Sequence, residues 1–359
     1  MIYFSTNKKS PLVNFKEATI TGLAPDKGLY FPKTIPVLSP DFFKHLKTKT
    51  KEQIAFEVIR PYVGNTIPEE ELFTICSETV NFDFPLKKIN DNIYSLELFH
   101  GPTLAFKDVG ARFMSRCLGY FSRGSDKNPP AGRAGVTVLV ATSGDTGSAV
   151  ANGFLDVKGV DVVILYPSGK VSKIQELQLT TLGKNITALE VQGTFDDCQR
   201  MVKQVFLDKQ LNENLSLTSA NSINVARWLP QQFYYFYALQ QWEHEQPPVI
   251  SVPSGNFGNI CAGLLANFSG LTVKHFIAAC NSNDVFSDYI NDKVYMPKIA
   301  VATISNAMDV GDPSNFVRLL ELFEHDHTAI KERISNCCVE DDITEATILE
   351  VYKHYHYIL

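Results

Sequence analysis

From Ile93 onward, short β-branched apolar runs alternate with longer helix-like stretches, and this rhythm limits the fold more than any other feature of the chain. Ile93–Phe99, Val136–Ala141, Asp161–Tyr166, Ile186–Val191, Val249–Val252 and Thr272–Ala279 read as strands. Asp108–Gly119, Thr146–Val157, Ser172–Leu182, Phe195–Leu207, Val225–Trp242 and Asn259–Asn267 read as the helices between them. Such alternation closes as parallel sheet with helices on both faces. The 359 residues are enough for two lobes, each with its own core. The expected fold is therefore α/β: two open, mostly parallel sheet lobes flanked by helices, with an N-terminal mixed segment. Residues 1–95 are that segment, expected to pack on the second lobe; 96–215 form the first lobe and 216–359 the second. The polar, Gly/Pro-rich stretch Gly124–Gly135 reads as a surface loop.

Charge and cysteine usage narrow the function classes. The net charge is −6 and no Lys/Arg block stands out, which argues against a nucleic-acid partner. The seven cysteines show no C-x-x-C spacing, and the adjacent Cys337 and Cys338 are badly placed to bond each other. A reduced protein of the cytoplasm is expected. The first residues, MIYFSTNKKSPLVNF, lack a signal-peptide apolar region, and no run reaches membrane-spanning length. The eight histidines show no metal-binding spacing, so no metal is expected, and no G-x-S-x-G elbow is present.

Four turns remain as carriers of chemistry, and open α/β sheets bind ligands at such strand ends. In His100–Asp108 (HGPTLAFKD), Lys107 stands between an apolar stretch and a helix. Flanked by Leu104 and Phe106, its ammonium would be partly desolvated and its amine freed to attack an aldehyde. A lysine snorkelling from a strand end is the plainer account of that segment alone. In Ala141–Ser148 (ATSGDTGS), hydroxyls and free N–H groups at a helix start suit a carboxylate or phosphate, or simply cap the helix. In Val252–Asn259 (VPSGNFGN), two glycines and two asparagines allow successive N–H groups to wrap a phosphate, or make a tight turn. In Asn221–Arg227 (NSINVAR), Arg227 suits bidentate phosphate capture or a structural ion pair. The aromatic run Phe233–Tyr237 that follows reads as core.

Together with GLAPDKGLYFP at Gly22–Pro32 and NAMDVGDPSN at Asn306–Asn315, these motifs resemble the threonine synthase family within the tryptophan-synthase-like (fold type II) pyridoxal-phosphate enzymes. The resemblance implies pyridoxal 5′-phosphate as cofactor and Lys107 as its Schiff-base lysine and proton carrier. It implies that Gly255, Asn256, Phe257, Gly258 and Asn259 cradle the cofactor phosphate. Thr142, Ser143, Asp145 and Thr146 would hold the substrate carboxylate and the region near the cofactor's 3-oxygen. Asn221 and Arg227 would receive the substrate's own phosphate. The implied reaction converts O-phospho-L-homoserine and water to L-threonine and phosphate, the last step of threonine biosynthesis, in a monomer or homodimer. Two phosphates call for two anion sites, and the residues offer two, Gly255–Asn259 and Asn221–Arg227.

The chain closes on an apolar, aromatic run, Tyr355–Leu359, where the family continues into a segment that supplies a hydroxyl beside the pyridine nitrogen. A C-terminally incomplete chain with weakened cofactor binding is the expectation. Two other functions stay in view. A serine/threonine dehydratase or β-replacing synthase would need no second phosphate site. A non-catalytic homologue would keep the fold without the chemistry.

Overall fold

The computed structural model describes residues 1–123, 135–142 and 144–358. The expected loop Gly124–Gly135, except for its last residue, lies outside them, as does Ser143. The chain divides into two compact units. Met1–Pro36, Lys49–Asp83 and Leu98–Phe233 form the first; Val37–Thr48, Phe84–Glu97 and Tyr234–Leu359 form the second. Residues 1–95 are shared between them.

The first unit is built on a wholly parallel four-stranded sheet, in the order Ile186–Val191, Val160–Pro167, Val136–Ala141, Ser216–Ser219. Every residue of Val136–Ala141 except Thr137 is buried, which is why its sequence is apolar without alternation. Leu139, Ala141 and Leu165 pack with Cys198 and Val202 of the helix Phe195–Leu207. Burial of each large aliphatic side chain here contributes about 1.5–3 kcal/mol. That helix starts where Thr194 and Asp197 exchange side-chain-to-backbone hydrogen bonds, a capping box. The chain steps outward from Val136–Ala141 through two strands, then returns to lay Ser216–Ser219 on its other side. The order of strands reverses there, so the turns after Ala141 and Ser219 flank the point where such sheets open for ligands.

The second unit holds a parallel three-stranded sheet, in the order Ile334–Cys338, His275–Cys280, Val249–Pro253. The fold is thus α/β, with one parallel sheet in each unit. Two expectations are corrected. Ile93–Phe99 shrinks to Tyr94–Leu96, paired antiparallel with Leu86–Lys88 in a two-stranded ribbon. The long helix Val225–Trp242 is broken into Val225–Trp228, a 3₁₀ turn Leu229–Gln231 and Gln232–Gln241. Pro230 sits in that turn, and proline has no N–H to continue an α-helical ladder. The aromatic run Phe233–Tyr237 is buried throughout, as core. Among the described residues no helix is long and apolar enough to cross a membrane.

Asp26 ties down the N-terminal part of the first unit. Its carboxylate accepts from Ser5 Oγ at 2.6 Å, Lys9 N at 2.8 Å and Gly28 N at 3.0 Å. Burial alone would push its carboxyl up, but these donors together bring it down to about 2. A folded value below the unfolded one gives stability that is present above pH 3.8 and lost as pH falls toward 2. Asp26→Asn is expected to lower stability by about 1–2 kcal/mol at pH 7, after discounting for solvent screening. Urea melts from pH 7 to 2.5 would show the two proteins converging; a constant gap would assign the effect to packing instead.

Candidate active site

In the first unit the turn before the helix Asp108–Arg123 presents Lys107. Asp108 folds back over that turn and is buried, accepting from Thr103 N at 2.9 Å and from Thr103 Oγ1. Burial pushes its carboxyl above the ordinary range, against the pull of the Thr103 bonds and of Arg112 and Arg227. Lys107 Nζ stands 2.6 Å from Asp145 Oδ2 and 4.8 Å from the centre of the Phe106 ring, with only 18% of the side chain exposed. The shelter is not the one expected, since Leu104 is 70% exposed and takes no part in it. Its backbone instead adopts a left-handed φ of 59°, which bends the turn.

Asp145 opens the helix Asp145–Phe154 at the end of strand Val136–Ala141. Burial would push its carboxyl up, but the Lys107 ammonium beside it and the N–H groups of Asp145 and Thr146 hold it below the ordinary value. Thr142 is buried, and its Oγ1 accepts from Gly144 N at 3.0 Å and Gly147 N at 2.8 Å while donating to Gly144 O. Thr142 therefore shapes the turn from inside. Gly144 has φ 149°, and a Cβ there would run into the Gln175 amide. Thr146 is half-buried on the same first turn.

Arg227 comes to the same place from the strand Ser216–Ser219. It is 4% exposed, and its Nη1 donates to Lys107 O at 3.2 Å. Asn224 caps the short helix Val225–Trp228, accepting from Ala226 N and donating to Thr19 O at 2.8 Å. Asn221 lies at the start of this turn, and its Oδ1 is buried with no hydrogen-bond partner. The structure thus joins Lys107, Asp145 and Arg227 directly. Reading the sequence had missed the Lys107–Asp145 pair, and also Thr103 and Asp108. Only Asp108 carried a local signal, an acid at a helix start.

In the second unit the turn after Val249–Pro253 is fixed residue by residue. Ser254 N donates to Ala279 O at 2.7 Å. Gly255 lies so close to Met308 that an added Cβ would sit 2.8 Å from Met308 Cα. Asn256 Oδ1 accepts from Ser314 N at 2.6 Å, and Asn259 Nδ2 donates to Pro253 O at 2.6 Å. Phe257 has a left-handed φ of 59°, a rare conformation for an aromatic residue, while its ring is buried against Phe286 and Phe316. The helix Gly258–Phe268 begins there with no hydrogen bond from its N-cap side chain, and within the first turn Asn259 Oδ1 accepts from Ile260 N at 2.9 Å. What this turn offers an anion is main-chain N–H groups at a positive helix end.

A family model described as "Threonine synthase N terminus" matches residues 2–80, and one described as "Pyridoxal-phosphate dependent enzyme" matches residues 79–335. A threonine synthase of Buchnera aphidicola subsp. Acyrthosiphon pisum is 43% identical over 357 residues, 98% of this chain and 81% of its own length. The chain belongs to the threonine synthase family. The crystal structure of threonine synthase from Escherichia coli superposes with a TM-score of 0.91 at 41% identity, covering 100% of this chain and 82% of that one. The PLP-bound threonine synthase of Brucella melitensis gives 0.92 at 35%, covering 100% and 82%.

The residues of this threonine synthase family member fit the family's cofactor. An aldehyde needs an amine that is shielded yet reachable, and Lys107 is held so by Asp145 and Phe106. A phosphate dianion needs donors at a positive helix end, and the helix start after Phe257, which has no N-cap side chain bonded to it, offers main-chain N–H groups there. In the first unit the buried Oδ1 of Asn221 lacks a protein partner and is left to accept from a donor.

Proposed function

We propose that this chain is a pyridoxal-phosphate-dependent threonine synthase that converts O-phospho-L-homoserine and water to L-threonine and phosphate, working in the cytoplasm as a monomer or homodimer. The observation that carries it is the Lys107–Asp145–Arg227 cluster at the reversal point of the first sheet. Lys107 is the attachment point of the cofactor aldehyde, and Gly255, Asn256, Phe257, Gly258 and Asn259 take the cofactor phosphate. When bound, the cofactor withdraws electrons from the substrate and makes its Cα–H acidic near neutral pH.

Lys107 Nζ then serves as the base that removes protons at Cα and Cβ and as the acid that returns them. Asp145 orients that amine and keeps a negative charge beside it each time it is protonated. Thr142, Ser143 and Thr146 receive the substrate carboxylate; Asp145, carrying the same sign of charge, contributes through its ammonium partner instead. Asn221 and Arg227 hold the substrate phosphate, which departs from Cγ with its bonding electron pair before water adds at Cβ. A fork of guanidinium donors matches that leaving group and stabilises its charge.

The test is an assay with purified protein, cofactor and O-phospho-L-homoserine. Phosphate and threonine are expected in equal amounts. Phosphate released with 2-oxobutyrate and no threonine would identify a lyase of another kind.

A further inference from the structure

The NAMDVGDPSN motif at Asn306–Asn315 has no role in the chemistry above, yet in the second unit it lies directly on the Pro253–Asn259 turn. Asn315 and Arg318 are both fully buried. Asn315 Nδ2 donates to Asn256 O at 3.2 Å, and Asn315 N points to the same oxygen at 3.4 Å. Arg318 Nη1 donates to Asn315 Oδ1 at 2.7 Å, and Cys261 Sγ donates to Asn315 O at 3.5 Å. The Asn315 amide is thereby fixed on both sides, with one face toward the guanidinium and the other toward the turn.

A peptide group is planar, so the Asn256 carbonyl and the Phe257 N–H point in opposite directions. Holding Asn256 O toward Asn315 aims Phe257 N–H the other way. The same grip resists a flip of the peptide that would relieve the left-handed φ of Phe257. We propose that Asn315, held from behind by Arg318, is a positioning residue that aims the main-chain donors of the Pro253–Asn259 turn at the cofactor phosphate. The proposal rests on the assignment of that turn to the phosphate.

The discriminating readout is the preference of Lys107 for pyridoxal 5′-phosphate over pyridoxal, which lacks the phosphate. Both are titrated into the full chain, trapped on Lys107 with borohydride and quantified by mass. Asn315→Asp keeps an acceptor for Arg318 but turns a carboxylate toward Asn256 O; Asn315→Ala removes the donor without adding charge. Gly255→Ala, which pushes into Met308, perturbs the turn directly. Each Asn315 variant is expected to lose roughly tenfold to hundredfold in affinity for pyridoxal 5′-phosphate while pyridoxal trapping stays within about twofold of wild type. Where both fail to fold, Arg318→Lys, which keeps the charge but loses the fixed fork, is expected to show the same selective loss to a lesser degree.

Equal losses for the two aldehydes would make Asn315 merely structural and overturn the proposal. A loss of preference in Gly255→Ala but not in the Asn315 variants would overturn it while leaving the phosphate assignment standing. No phosphate preference in the wild-type chain, or none lost in Gly255→Ala, would remove the assignment and the proposal with it.

Discussion

Lys107→Ala is expected to cut threonine formation by on the order of 10³–10⁴-fold or more, because in the proposed mechanism one amine both anchors the cofactor and moves the protons. The purified variant should lack the visible absorbance band of the lysine-bound cofactor, and borohydride should leave no label at position 107. The same substitution makes a second, independent prediction through Asp145. In the wild type, Lys107 holds the Asp145 carboxyl below its ordinary value against the upward push of burial. Asp145 therefore contributes stability that is present above its unfolded pKa and lost as pH falls through the folded value. Without the ammonium, the burial that raises the carboxyl is left with weaker opposition. The variant should lose thermal stability at pH 7 and recover relative to wild type as pH drops toward 4. Full turnover by Lys107→Ala would end the assignment. A stability difference independent of pH would leave the catalytic role but dissolve the ion-pair account.

Arg227→Ala is expected to raise the KM for O-phospho-L-homoserine by roughly 10–100-fold, the loss of about 1.5–3 kcal/mol of charge-assisted hydrogen bonding. Since Arg227 is buried and donates to Lys107 O, its removal should also lower the melting temperature and reduce kcat. Arg227→Lys separates these effects: it restores a positive charge but not the planar fork, and should recover part of the affinity. Titration of the variants with inorganic phosphate as a competitive inhibitor provides the check. A lower melting temperature with unchanged KM and unchanged phosphate inhibition would confine Arg227 to bracing the lysine turn.

Much of the fold was legible along the chain where local signals were strong. Val136–Ala141, Ile186–Val191 and Phe195–Leu207 appear in the structure with the bounds read from sequence. Thr194 begins the helix with a capping box, and both strands are short β-branched runs. Ser216–Ser219 and Ile334–Cys338 were not anticipated, because SLTS and ISNCC carry little of the apolar pattern that marks a strand. Their places depend on neighbours already formed: each adds to a parallel sheet whose pairing partner lies more than 50 residues away. The break at Pro230 was visible as a residue but outweighed by the continuous aromatic pattern around it.

The site divides in the same way. Lys107, the turn at Ala141–Ser148, the turn at Val252–Asn259 and Asn221–Arg227 stood out as motifs in one order, so their residue types were readable. Which of them touch was not. The Lys107–Asp145 pair spans 38 residues and the Arg227–Lys107 bond 120. Both follow from the reversal of strand order beside Val136–Ala141, a property of topology and not of spacing. Asn315 was readable only as part of a motif, because its function lies in a carbonyl it holds 59 residues away.

The hydrogen bond from Arg227 to the main-chain oxygen of Lys107 has a consequence for anyone wishing to retool this protein. Changing the leaving group from phosphate to acetate or succinate would invite replacement of the guanidinium by something neutral. That exchange would also slacken the tether of the reactive amine, so altered specificity and impaired chemistry would arrive together. A successful redesign must therefore supply a new donor to that oxygen before it replaces Arg227.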